Sequence, residues 1–343
     1  MSMRAVVVDS AGQISVAERP DPVLPGPDGA IVEVTASGIC GSDLHFLEGH
    51  YPIVDPVALG HEAVGIVVEI GSEVAGFAAG DRVLVSSVAG CGRCPGCATH
   101  DPIRCVSGPQ IFGSGALGGA QADLLAVPAA DFQLLALPDG IDTDQALLLT
   151  DNLATGWAAA KRADIPIGGT VAVIGLGAVG MCALQSAFAL GAATIFAVDP
   201  VEARRARAAA RGAVPVSPPS GQPVREFTDG LGADSVIDAV GTDASINDAL
   251  DTVRTGGTVS IVGVHDLQPY PLPVLACLIR SLTIRLTTAP VQQTWPELIP
   301  LLQDGRLDVS GIFTTTMPLD AAAAGYAAAM SRSGEHLKIR LQP

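Results

Sequence analysis

Short apolar runs separated by turn residues dominate the first part of the chain. Residues 5–8 (Ala-Val-Val-Val) and 31–34 (Ile-Val-Glu-Val) read as strands, and 63–69 and 82–88 continue the series between Gly71, Gly76 and Gly80-Asp81. The stretch from Pro20 to Pro27 holds four prolines and predicts a loop. Near residue 150 the rhythm changes. Strands at 171–174, 194–198, 235–239, 258–262 and 282–286 alternate with helical stretches at 178–190, 201–211 and 245–254. This alternation predicts an α/β fold with a doubly wound parallel sheet behind a β-rich region. Later helices are expected at 294–304 and 319–330, and Leu337–Leu341 reads as a strand returning to the first region.

Composition supports a large buried core. The 343 residues fit two domains, and 48% of them are hydrophobic against 16% charged. A net charge of -16 repels phosphate backbones and argues against nucleic acid as a partner. No apolar run resembles a leader or a membrane span, so a cytoplasmic protein without a membrane partner is expected.

The strand at 171–174 runs into Gly175-Leu176-Gly177-Ala178-Val179-Gly180, a G-x-G-x-x-G pattern that opens a helix. Gly175 allows the tight turn, Gly177 lets a pyrophosphate approach the backbone, and Gly180 lets helix and strand pack closely. The helix N-terminus favours the phosphates. The next strand ends at Asp199, placed to bond ribose hydroxyls and to repel a 2′-phosphate, which favours NAD. Arg204 and Arg205 follow closely and keep NADP open.

Seven cysteines occur, and Cys91, Cys94, Cys97 and Cys105 fall within fifteen residues. Four thiolates at this spacing suit a closed tetrahedral zinc site. An iron–sulfur cluster and a pair of disulfides are the rival readings. Cys182 and Cys277 read as core thiols, Trp157 as a core aromatic, and His50, His100, His265 and His336 have no ligand-like context, although His265 lies near the expected cofactor cleft.

Other segments carry a resemblance. G-I-C-G-S-D-L-H at 38–45, G-H-E-A-V-G at 60–65, the four-cysteine lobe, T-D-N-L-A-T-G at 150–156 and V-I-G-L-G-A-V-G at 173–180 occur together. In order and spacing the chain resembles the zinc-containing medium-chain alcohol dehydrogenase family over essentially its whole length. The resemblance implies a GroES-like catalytic domain at 1–152, completed by 290–343, and a Rossmann NAD-binding domain at 153–289. It implies a catalytic zinc held by Cys40 and His61, with Asp151 where some members carry Cys, and Glu62 as an exchangeable ligand or a neighbour of the ligands. With the cysteine lobe this makes two zinc ions per chain. Ser42 and His45 are implied as a proton relay; Ser42 as a cap of the helix near Asp43 is the bland alternative. Thr155 is implied at the nicotinamide, Val240, Gly241, Gly263 and Val264 along the cleft, and Lys338 at the pyrophosphate.

An open metal position lowers the pKa of an alcohol hydroxyl, and the cofactor then takes the hydride. Primary or secondary alcohols are the expected substrates, with NAD as cofactor. Ser87, Gln110 and Leu153 are candidates for the pocket wall, and the polar pair keeps polyols or sugars open. A redox-sensing NAD(P)-binding protein or a quinone-reductase-like relative is the alternative from another class. A homodimer or homotetramer is expected by analogy, joined through 259–264 and the apolar 272–286 stretch.

Overall fold

A computed structural model describes every residue except 1, 52, 54, 55 and 116. Two principal sheets share one continuous core. The second is the doubly wound sheet expected from the alternation. Its order is Val214–Val216, Thr194–Val198, Thr170–Ile174, Ala233–Asp238, Val253–Ile261, Thr283–Leu286, and every pairing is parallel. The order reverses between Thr170–Ile174 and Ala233–Asp238, which is where such sheets bind ligands at their carboxyl edge.

The first sheet runs Leu134–Ala136, Arg82–Val85, Ala63–Ile70, Ala30–Ile39, Lys338–Gln342, Phe313–Pro318, with Leu124–Val127 also on Ala30–Ile39. The closing strand pairs antiparallel with Ala30–Ile39, as its apolar pattern predicted. Two elements differ from expectation. Ile14–Pro20 is a strand antiparallel to Ser2–Val8, so the loop begins after Pro20 rather than at it. Val214–Val216 is a third parallel strand that the alternation had not shown. It tolerates Pro215 because it lies at the sheet edge.

The core joins the two sheets. Ala36, Val64 and Leu84 of the first pack in one cluster with Leu147–Leu149, Val173, Leu184 and Trp295. Helix Asn152–Arg162 crosses helix Ala178–Ala189 so closely that a Cβ on Gly156 would lie 2.6 Å from the Ala183 nitrogen. Among the described residues no helix is long and apolar enough to cross a membrane.

Candidate metal centre and dinucleotide cleft

Sheet register brings the first cluster together. Ala30–Ile39 delivers Cys40 at its end, and Ala63–Ile70 begins just after His61-Glu62; Ser37 pairs with Ala63. Ile339 pairs with Ile39, which places Lys338 at the same end, and Val85 pairs with Ala63, which brings Ser87 there. Asp151 arrives from the break between helices Thr143–Thr150 and Asn152–Arg162. One donor atom from each of Cys40, His61, Glu62 and Asp151 lies within 4.8 Å of all the others.

Each donor is held from behind. Asp43 accepts from His61 Nδ1 at 3.3 Å, which leaves Nε2 facing the cluster. Asp43 in turn accepts from Gln121 Nε2 at 3.2 Å, and Gln121 Oε1 accepts from the Tyr326 hydroxyl at 2.8 Å. Ser87 donates to Asp151 Oδ1 at 2.8 Å, and Asn152 Nδ2 donates to Asp151 Oδ2 at 2.8 Å and Glu62 Oε1 at 3.1 Å. Ser42 Oγ sits 3.4 Å from His61 Nε2.

Charge and burial shape the site. Burial disfavours a charged His61, but Asp43 and Cys40 outweigh it and hold the imidazole well above its ordinary pKa. Burial pushes the Glu62 carboxyl up, against the pull of Lys338. Burial also works against a charged Lys338, yet Glu62 and Cys40 raise it. Two polar atoms, Glu62 Oε2 and Asn152 Oδ1, are buried without a partner. A thiol, an imidazole and two carboxylates converge beside a single ammonium. That surplus of acceptors and the orphaned Glu62 oxygen fit a divalent cation with mixed sulfur, nitrogen and oxygen donors.

The cysteine lobe is built differently. Its four Sγ atoms also lie within 4.8 Å of one another, and all seven cysteines are free thiols. Backbone N–H groups donate to sulfur: Cys91 to Cys105 at 3.3 Å, and Cys97 and Val106 to Cys94, both at 3.4 Å. Those bonds draw the Cys94 thiol down to about 6. Burial, with Cys94 beside it, pushes Cys97 up to about 12. Four such sulfurs fit a closed tetrahedral metal site.

The glycine turn has the expected backbone. Gly175 has φ +85°, and a Cβ on Gly180 would stand 1.7 Å from the Gly175 carbonyl oxygen. Gly177 is the N-cap of Ala178–Ala189, so Val179 and its neighbours open the helix with free N–H groups. Asp199 is buried and accepts from the Leu176 and Val201 N–H groups, each at 2.8 Å. Arg204 Nη1 is 3.7 Å from Asp199, and its Nε is buried without a partner. Arg205 is spent on the Asp199 and Pro200 carbonyls. Gly175, Val240, Gly241 and Gly263 meet at the carboxyl edge: a Cβ on Gly263 would lie 2.2 Å from the Val240 carbonyl carbon. Val240 and Val264 are exposed there, and Thr155 is buried on the helix that follows Asp151.

Several expectations are corrected. Lys338, expected at the pyrophosphate, is buried and bonds Glu62 Oε1 at 2.6 Å, because its strand ends beside the metal cluster. Ser87 is buried and bonded to Asp151, and Leu153 is sealed in the core. Gln110 is exposed. Ser42 makes no capping bond. Cys277 is half-buried on the exposed helix Val274–Ile279, whereas Cys182 and Trp157 are core as expected. His50, read as bland, lies against His45, with their Nδ1 atoms 2.7 Å apart. His265 bonds Asp243 at 2.8 Å. Nothing in the sequence signals the roles of Asp43, Gln121, Tyr326 and Asn152; of these only Asp43 and Asn152 stand close in sequence to a candidate ligand.

Known proteins share these features. Residues 26–139 match the alcohol dehydrogenase GroES-like domain, and 178–304 match the zinc-binding dehydrogenase model. A probable zinc-binding alcohol dehydrogenase of Mycobacterium tuberculosis is 70% identical over 99% of this chain and 89% of its own. An alcohol dehydrogenase from Thermus sp. ATN1 superposes with TM-score 0.92 at 36% identity, covering 99% of both chains. A Sinorhizobium meliloti 1021 protein assigned as a zinc-binding dehydrogenase and bound to NADP matches with TM-score 0.84 at 29% identity, over 100% of both chains.

Proposed function

The chain belongs to the zinc-containing medium-chain alcohol dehydrogenase family, and from that premise we propose that it oxidises primary and secondary alcohols with NAD⁺. The convergence of Cys40, His61 and Asp151 at one sheet end, with Glu62 beside them, carries the proposal. Cys40, His61 and Asp151 would hold a catalytic zinc, with Glu62 as an exchangeable donor, and Cys91, Cys94, Cys97 and Cys105 would hold a structural one. When bound, the zinc acidifies an alcohol hydroxyl and the nicotinamide takes up hydride.

The chain's own residues do the rest. Asp43 fixes the His61 ring, and Ser87 with Asn152 fixes the Asp151 carboxylate. Lys338 neutralises part of the charge on Glu62. Ser42 Oγ, at the edge of the cluster, would take the alcohol proton while releasing its own toward the nicotinamide ribose, from which His45 would pass a proton to solvent. Burial and then the neighbouring His50 hold His45 below its ordinary pKa, so it is free to accept.

Gly175, Leu176, Gly177, Ala178, Val179 and Gly180 receive the pyrophosphate. Val240, Gly241, Gly263 and Val264 line the cleft, and Thr155 lies at the nicotinamide. The fixed Asp199 carboxylate favours NAD over NADP, with Arg204 as its cationic neighbour. Residues 1–152 and 290–343 form the catalytic unit of a cytoplasmic enzyme, and 153–289 the NAD-binding unit. Leu272, Val274, Leu275, Leu278, Ile279 and Leu286 lie exposed at the free edge of the parallel sheet and join copies into a homo-oligomer.

Initial rates of NADH and NADPH formation across primary alcohols, secondary alcohols and polyols test the reading. Faster NADH formation with simple alcohols is expected. Reduction with polyols alone moves the substrate class, and no reduction with any of them overturns the proposal.

A further inference from the structure

A third group of metal-ligating side chains lies outside both clusters, in the turn His45-Phe46-Leu47-Glu48-Gly49-His50. His45 lies within a single helical turn, Leu44–Leu47, and Glu48 caps its end. Gly49 then takes φ +74°, and the His50 N–H returns to the His45 carbonyl at 2.9 Å. The reversal points both imidazoles at one spot. His45 Nδ1 and His50 Nδ1 are 2.7 Å apart, and Glu48 Oε2 lies 4.0 Å and 3.7 Å from them. The other Glu48 oxygen accepts from Arg332 Nη2 at 2.8 Å, which fixes the carboxylate toward the rings.

Two neutral imidazoles at this distance share one proton between two lone-pair sites. A metal ion would replace that proton. On a tetrahedral zinc with bonds of about 2.0 Å, two nitrogens stand roughly 3.3 Å apart. The nitrogens therefore need to part by about 0.6 Å, and the half-exposed His50 after Gly49 leaves room for it. Two imidazoles and one carboxylate suit zinc and the neighbouring divalent transition metals.

We propose that His45, Glu48 and His50 form a third, lower-affinity divalent-metal site that occupies the relay histidine and thereby slows turnover when metal is in excess. The regulatory half rests on the relay reading of His45; the site itself does not. Metal bound at Nδ1 removes that nitrogen from proton transfer and places positive charge beside the exit path.

The test uses the holoenzyme as purified, dialysed against rising zinc, with bound zinc counted by elemental analysis and turnover measured on the same samples. The wild type is expected to take up one further equivalent, and turnover to fall on the order of a hundredfold, the scale of a lost general acid–base step. Dilution into metal-free buffer restores it. His50→Ala and Glu48→Gln, both at exposed positions, take up no further equivalent, and added zinc does not lower the turnover of either variant relative to that variant's own rate without added zinc. No extra equivalent in the wild type, or equal uptake by both variants, overturns the site. Uptake by the wild type alone with unchanged turnover keeps the site and overturns the relay reading of His45.

Discussion

The cysteine lobe and the Cys40 cluster hold the same number of candidate ligands by opposite means. The lobe draws all four from residues 91–105 and steadies its sulfurs with backbone N–H groups. The Cys40 cluster draws its ligands from three segments, up to 111 residues apart, and steadies them with side chains. Four equal thiolates leave a metal with nothing to exchange. A mixed set with an orphaned Glu62 oxygen leaves it a position to use. Under the proposed function, local closure serves folding, and assembly from distant segments serves chemistry.

The largest effect that could break this contrast comes from the open set. Cys40→Ser or Asp151→Ala is expected to lower turnover by roughly a thousandfold or more, as loss of several kcal/mol of Lewis-acid assistance demands. Thermal melting followed by circular dichroism should stay near wild type. Activity that survives in both variants would remove the Cys40 cluster from the reaction.

Cys94→Ser tests the other side. Loss of the lobe's metal is expected to cost a few kcal/mol of stability, read as a lower urea midpoint. Turnover per folded molecule should stay within a few-fold. A large rate loss at unchanged stability would mean that the lobe takes part in chemistry.

The support behind His61 gives a smaller effect. Asp43→Asn should weaken zinc retention at the open site by about ten- to a hundredfold, measured by competition with a chelator. Tyr326→Phe removes one bond further out and should weaken retention only a few-fold. Equal losses in the two variants would show that the chain from Tyr326 to His61 acts as one rigid unit.

The smallest test is of thiol reactivity in metal-depleted protein. A thiol drawn below its ordinary pKa is a thiolate above that value and a thiol below it. Alkylation of Cys94 should therefore rise as pH passes about 6 and level off by neutrality. Cys97, pushed up to about 12, should lag behind it throughout that range. Peptide mapping by mass spectrometry reads both, and equal rates would mean the backbone bonds to sulfur are lost without metal.

What was legible in the chain was what is local. The glycine turn needs only neighbours: Gly175 for its φ and Gly180 for close packing. The central parallel strands Thr170–Ile174, Thr194–Val198 and Ala233–Asp238 were legible because burial on both faces makes them largely apolar. Ile14–Pro20 was missed because its half-exposed residues carry no strong pattern and its pairing comes from Ser2–Val8. Val214–Val216 was missed because three residues around a proline give no periodicity.

By itself the sequence determined the two metal-ligand vocabularies, the dinucleotide turn and the family. These rest on residue type and short spacing, which the covalent chain sets directly. Only the tertiary structure decided that Lys338 serves Glu62 rather than a phosphate, that Ser87 backs Asp151, that Tyr326 reaches His61 through Gln121 and Asp43, and that His50 turns back onto His45. Most of those contacts are made by sheet register and helix packing between residues remote in sequence. The last depends on one left-handed glycine. No periodicity along the chain carries either kind of information.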